Sequence, residues 1–390
     1  MTHIAESVAG LYVHIPFCLK KCPYCDFYSV TDLSKRERYI HALKSEMELT
    51  RETAYSFDTI YLGGGTPSLL SGRQVDKILA TARSVYKIHP RAEVTMEINP
   101  GTVSTKALNA YRQAGVNRIS VGVQSFDNHV LRKLGRIHTA EMAIRSLQEV
   151  FLSGFTNVGI DLIYGIPGQK KSDWRADLAQ AMQFKLDHIS CYMLSFDSGT
   201  CFETERQAGR IDPLPDKVIA DMFQLTVSEL ALRGYKQYEI SNFARPGRQS
   251  RHNLKYWNGS AYLGLGTAAH SFDGFTRSWR FRNIDKYIQV LTHGCLPISG
   301  QEKLTQSQHM LESIYLGLRT SAGIPKRDFE RRFEIDFAAL FGDLILDLQG
   351  QGFVQPKPDR VALTVKGILF LDAIVGRMSD QIGDIEVIDE

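Results

Sequence analysis

Up to about residue 200 the chain alternates two hydrophobic periods. Short runs rich in β-branched and apolar residues, at 11–15, 59–62, 94–98, 118–121, 157–162 and 188–193, read as strands. Between them lie polar stretches with apolar residues every three or four positions, at 35–53, 73–86, 105–114, 140–153 and 173–184, which read as helices. Strand and helix in turn predict βαβ units and a parallel sheet, an α/β fold whose chemistry collects at the carboxyl ends of the strands.

The alternation fades beyond residue 200. Pro213 and Pro215 introduce a helix over 216–233, a polar and aromatic segment occupies 235–258, and a Gly/Ala-rich run follows at 264–269. From 304 onward the period is helical, at 307–318, 326–332 and 337–349. A small hairpin at 352–354 and 360–364 and a last helix at 366–377 follow, and the acidic tail 379–390 is expected to fray. The expected organisation is a barrel-like unit at 1–235, a connecting segment at 236–303 and a small, mainly α, winged-helix-like domain at 304–390.

Composition narrows the class. Of 390 residues, 43% are hydrophobic and 23% charged, as in ordinary globular proteins, and the formal charge of +3 makes no electrostatic case for nucleic acid. The first ten residues lack the apolar core of a signal peptide, and the apolar stretch 361–375 is broken by Lys366 and Asp372. A cytoplasmic protein is expected, with peripheral membrane contact left open. Three of the six cysteines fall within eight residues, which argues for metal or catalysis rather than a disulfide framework.

Those three, Cys18, Cys22 and Cys25, directly follow the first strand. Soft thiolates suit iron, and three of them leave one corner of an iron–sulfur cubane open for another ligand. Lys20 and Lys21 are expected to lower the thiol pKa values. A zinc site is the alternative, although zinc calls for a fourth Cys or His. Each later strand also ends in a polar or glycine-rich signal: Gly63-Gly-Gly-Thr-Pro67, Glu97-Ile-Asn-Pro100, Gly122-Val-Gln-Ser125 and Asp161-Leu-Ile-Tyr-Gly165.

The segment from Tyr12 to Tyr28 resembles the signature of the radical S-adenosylmethionine (SAM) family. More narrowly it is similar to the group that holds oxygen-independent coproporphyrinogen III oxidases and the HemW haem chaperones, and the similarity runs over nearly the whole chain. The resemblance implies a partial (β/α)6 TIM-type barrel and a HemN-type C-terminal domain. It implies a [4Fe–4S] cluster on Cys18, Cys22 and Cys25, with SAM chelating the open iron. One electron from such a cluster cleaves SAM to methionine and a 5′-deoxyadenosyl radical. By the same resemblance Gly64, Gly65 and Thr66 cradle the methionine end of SAM, and Glu97, Gln124, Arg136 and Asp161 line it. Tyr12 and Tyr24 match positions that flank the cluster. Their chemistry suits these roles: glycine lets a ligand approach the backbone, and Asp161 can hold a pair of ribose hydroxyls.

Chaperone and oxidase separate at two places. The oxidases carry a further cysteine two residues after the third, where this chain has Phe27, and they have a longer N-terminal extension. The run Arg251-His-Asn-Leu-Lys-Tyr-Trp257 contains His-Asn-x-x-Tyr-Trp, which resembles the HemW motif whose histidine is implicated in haem binding. His252 would ligate haem iron, Tyr256 and Trp257 would offer flat faces, and Arg251 and Lys255 would meet the propionates. The residues alone equally fit a hydrogen-bonded histidine bracing a domain junction. The expected function is a haem chaperone that delivers haem to apo-haemoproteins such as respiratory enzymes. A reductant protein and a second copy of the chain are further candidate partners. The alternatives are a porphyrinogen oxidase or other radical SAM enzyme, and a scaffold with a structural cluster.

Overall fold

A computed structural model describes residues 8–383. Six strands run parallel in chain order: β1 (Val8–Ile15), β2 (Ser56–Gly64), β3 (Lys87–Ile98), β4 (Arg118–Gln124), β5 (Val158–Tyr164) and β6 (His188–Met193). Helices α1 (Arg36–Leu49), α2 (Gly72–Val85), α3 (Thr105–Gln113), α4 (Asn128–Lys133), α5 (Ala140–Leu152) and α6 (Lys171–Ala181) occupy the crossovers. Local chemistry sets the helix starts. Ser71 and Gln74 close a reciprocal capping box on α2, and the Ser104, Asp127 and Thr139 side chains cap α3, α4 and α5. The central strands are buried along almost their whole length, as expected of a parallel sheet covered on both faces.

Past residue 200 come α7 (Cys201–Gln207), α8 (Asp216–Leu232), β7 (Lys236–Gln237), β8 (Asn242–Ala244), α9 (Arg251–Trp257), β9 (Tyr262–Leu265), β10 (His270–Phe272), β11 (Thr276–Arg280), α10 (Ile284–Thr292) and β12 (Ile298–Lys303). This stretch extends the sheet at both edges. β8 adds antiparallel to β6, and β9 adds parallel to β1 and leads into an antiparallel meander, giving the order β12-β11-β10-β9-β1-β2-β3-β4-β5-β6-β8-β7. The sheet stays open, so the fold is a partial barrel. Among the described residues no helix is long and apolar enough to cross a membrane.

The mainly helical C-terminal part comprises α11 (Gln306–Leu318), β13 (Ile324–Pro325), α12 (Lys326–Phe333), α13 (Phe337–Gly350), β14 (Arg360–Val361), α14 (Val365–Ile368) and α15 (Leu371–Gly383). It has its own core, in which Phe329, Phe333, Phe337 and Phe341 pack ring against ring. The hairpin expected at 352–364 is present as a single bridge, Val354 to Leu363, and β14 pairs with β13 instead. The last helix is broken in two. Gly367 lies so close to the carbonyl of Phe353 that α14 seats directly on that bend. Ser379 to Gly383 belong to α15 rather than to a frayed tail, and residues 384–390 lie outside the described part.

One buried ion pair fastens the sheet extension to the barrel. Arg280 on β11 donates from Nε to Glu46 Oε1 on α1 at 2.6 Å, and the two side chains are 3% and 0% exposed. Glu46 Oε2 accepts from the Gly266 amide at 2.8 Å and the Tyr287 hydroxyl at 2.5 Å, so both carboxylate oxygens have donors. Removing one partner of such a pair leaves a bare charge in the core. Arg280→Ala should lower stability by about 3–5 kcal/mol in guanidinium unfolding, whereas exchange of the exposed Lys217 partner of Asp221 should change it by less than about 1 kcal/mol.

Candidate functional site

The loop after β1 carries all three clustered cysteines, and its backbone holds it closed. The Cys18 amide donates to the Val30 carbonyl at 3.0 Å, the Val30 amide returns to Pro16 at 2.7 Å, and the Cys25 amide reaches the Cys22 carbonyl at 3.2 Å. The thiols are free and half-buried. Among the described residues no three His, Cys, Asp or Glu side chains converge on one single-ion point. Two neighbours point hydrogens at sulfur. The Thr66 hydroxyl donates to Cys18 Sγ at 3.5 Å, and Arg136 Nη1 to Cys22 Sγ at 3.7 Å. Burial pushes the Cys25 thiol up to about 11; the Phe27 amide and Lys21 only partly oppose it. The expected lowering by the lysines is therefore outweighed at this cysteine by desolvation.

Above the loop, the carboxyl ends of the strands enclose a cavity of about 510 Å³. Its wall includes Tyr24, Gly64, Gly65, Glu97, Gln124, Arg136 and Asp161, so seven of the residues picked from sequence share one chamber with Cys25. Gly64 has φ +109°, and a Cβ there would overlap the His14 ring. A Cβ on Gly65 would sit 2.8 Å from the Phe17 carbonyl oxygen and 2.9 Å from that of Ile15. The glycines are thus demanded by the close passage of β2 over β1 as well as by an open cradle. Gln124 takes φ +66°, a left-handed backbone rare for a residue with a side chain, at the end of β4. Thr66 belongs to the sulfur side of the rim. Tyr12 lies deeper, with its hydroxyl 3.1 Å from His14 Nδ1 and its ring stacked on Tyr61.

Two carboxylates and one guanidinium set the field. Glu97 accepts from the Tyr61 hydroxyl at 2.8 Å and from the Gly64 amide at 3.1 Å. Burial, and then the nearby Asp161, push its pKa up to about 7. Asp161 accepts from Ser120 at 3.2 Å, and its pKa is raised by burial against the pull of Ser190, Ser120 and Arg118. Arg118 is 1% exposed and leaves its Nε without a hydrogen-bond partner. Neither Arg118 nor Asn99 was singled out from sequence. Asn99 gives its amide to Thr66 Oγ1 at 2.7 Å and takes Arg136 Nη2 on its oxygen at 2.5 Å. The signal for Arg118 was a cation at the head of a strand otherwise buried throughout, which must face a charge.

The His-Asn-x-x-Tyr-Trp motif forms α9 at the opposite, amino-terminal end of the strands. His252 is 1% exposed. Its Nδ1 lies 2.8 Å from the Thr59 hydroxyl, its Nε2 lies 3.0 Å from the Tyr256 hydroxyl, and its ring stacks on Tyr61 at 5.2 Å. Burial and the Lys255 charge lower its pKa to about 3, so it is neutral and fully hydrogen-bonded. This is the bracing histidine that the residues alone allowed; in this conformation neither ring nitrogen is open to an iron. Arg251 and Lys255 both pair with Asp58, at 2.6 and 2.8 Å, instead of reaching outward. Trp257 is half-buried under the Arg319 guanidinium, 4.6 Å from the ring centre.

An open parallel sheet with a three-cysteine loop and a polar rim defines a radical SAM protein. The Radical SAM superfamily model matches residues 12–181, and that of the HemN C-terminal domain matches residues 304–370. The heme chaperone HemW of Escherichia coli is 40% identical over 391 residues, covering 94% of this chain and 97% of that protein. The HemW proteins of Mycobacterium tuberculosis and Bacillus subtilis are 35% and 33% identical, each over 94% of this chain and over 93% and 97% of their own lengths. This chain belongs to the HemW family of radical SAM proteins. The solved coproporphyrinogen III oxidase HemN of Escherichia coli has the same fold, with a TM-score of 0.82 at 24% identity over 97% of this chain and 91% of that one.

The raised acid has a measurable consequence. Glu97 moves from an ordinary 4.5 to about 7 on folding, so between those values the native state holds more protons than the unfolded one and stability falls as pH rises. Buried neutral histidines such as His14 and His252 act in the opposite sense, losing stability as pH falls below about 6.5. The difference between wild type and Glu97→Gln isolates the acid: the variant should gain relative stability from pH 5 to pH 8 in urea unfolding.

Proposed function

We propose that this chain is a radical SAM haem chaperone: it binds haem and passes it to apo-haemoproteins. The observation that carries the reading is the similarity, at 33–40% identity and over 94% of the chain, to proteins named for that role. On this reading Cys18, Cys22 and Cys25 hold a [4Fe–4S] cluster and the chamber at the strand ends holds SAM. When bound, that pair supplies one-electron reduction of a sulfonium carbon–sulfur bond. The chain's own residues prepare the site. Thr66 and Arg136 direct hydrogens at cysteine sulfur and so spread its negative charge. Gly64 and Gly65 let a ligand reach the backbone, and Asp161 is the acceptor for ribose hydroxyls. Glu97, buried and holding part of its proton near neutrality, is the acceptor for the N–H hydrogens of the SAM amino group.

The sulfonium charge of SAM favours the carboxylate form of Glu97, so binding of SAM should release from that group a fraction of a proton at pH 6 and less at pH 8. Calorimetry in buffers of different ionisation enthalpy reads this release, and Glu97→Gln should remove the share that falls between pH 6 and pH 8. The function itself is tested on anaerobically reconstituted protein. Stoichiometric haem binding, transfer to an apo-haemoprotein and no decarboxylation of coproporphyrinogen III are expected; turnover of that porphyrinogen would replace the chaperone reading with an oxidase.

A further inference from the structure

Helix α9 is a wall between the sheet and a second cavity. His252, Lys255 and Tyr256 face the sheet, while Leu254, Trp257 and Asn258 face away into that cavity, of about 580 Å³, bounded by α9, β10, α11 and α12. Its volume falls within the range of about 300–1,000 Å³ typical of small-molecule sites. Its wall includes the aromatic side chains of Trp257, Phe272, Phe329 and Phe333 beside polar and charged ones. Among the described residues it carries one histidine, His309 on α11.

The state of His309 follows from its neighbours. The ring packs edge-on against Phe272, Phe275 and Phe333, with centroids 6.4, 5.8 and 5.8 Å away. Its Nε2 is hydrogen-bonded to Arg332 Nη2. A guanidinium only donates, so Nε2 is the acceptor and the ring is a neutral imidazole with its proton on Nδ1. Burial, Arg332 and Arg277 lower the pKa in the same direction. A neutral imidazole with a lone pair on Nε2, set among aromatic faces, is the state in which histidine binds iron. The acids nearby are already engaged: Glu312 pairs with Arg277, and the exposed Asp328 with Arg331. Arg332 has no carboxylate among the described ion pairs, so it is free to meet a ligand carboxylate.

We propose that this cavity is the haem pocket of the protein, with His309 Nε2 as an axial iron ligand and Arg332 turning from that nitrogen to a propionate. The lone pair of Nε2 enters the iron coordination sphere with no redox change; the Arg332 hydrogen bond is the only one given up, and the propionate replaces it. The proposal rests on the haem-carrying reading and gives it a location distinct from the cysteine loop, with His252 on the far side of the α9 wall.

Ferric haem titrated into the full-length chain and followed by the Soret band tests it. Wild type should saturate with a histidine-ligated spectrum. His309→Ala should raise the apparent Kd at least tenfold and lose that spectrum, and His309→Met should move the spectrum toward thioether ligation, which a merely packed histidine would not do. Leu316→Trp, which fills the cavity without removing a charge, should weaken binding by a similar factor; circular dichroism checks that each variant is folded. Wild-type binding with unchanged spectrum and affinity in folded His309→Met and Leu316→Trp would overturn the pocket while leaving the chaperone reading intact. No haem binding by wild type would overturn that reading itself.

Discussion

Everything at the mouth of the sheet depends on two carboxylates and a guanidinium shut away from water. Glu97 and Asp161 stand in the same enclosed space, and Arg118 is the fully buried cation set against them. Burying a carboxylate is expensive, so the Glu97 carboxyl is pushed up to about 7 and holds part of its proton near neutrality. The result is a chamber whose acids keep spare acceptor capacity. Such a site takes up a cation readily, because the cation supplies what the solvent was denied. The glycines at 64 and 65 and the Asn99–Thr66–Arg136 relay then fix where the sulfur-bearing loop and the acids stand relative to each other.

Much of this was readable from the chain. The parallel strands betray themselves as apolar runs, and each rim motif follows its strand, so the cysteines and the residues lining the mouth could be named before any coordinates. What escaped has a common physical cause. Asn99 and Arg118 do their work through partners distant in sequence, and a lone Asn just past a strand or Arg at the head of one has no periodic signature. The edge strands β7 to β12 run two to six residues and take their shape from the strands they pair with. The direction of the motif histidine was beyond sequence altogether. Its spacing with Lys255 and Tyr256 puts all three on one face of α9, but only packing decides whether that face turns inward.

The two cores divide the labour. The larger one fills the faces of the sheet, and the smaller, phenylalanine-rich one holds the C-terminal helices. They meet across α9, which is only seven residues long and is fastened by ion pairs to Asp58 and by a ring stack to Tyr61. A short helix so heavily tied is a rigid partition, unlike the exposed loops on which binding residues often sit.

That rigidity bears on how substitutions at position 252 are to be understood. Exchanging the imidazole for a methyl group would strand the hydroxyls of Thr59 and Tyr256 and open a hollow under Tyr61 at the floor of the sheet. Loss of any cargo in such a mutant would report first on a collapsed floor. Only a replacement that keeps both hydroxyls satisfied could separate carpentry from coordination.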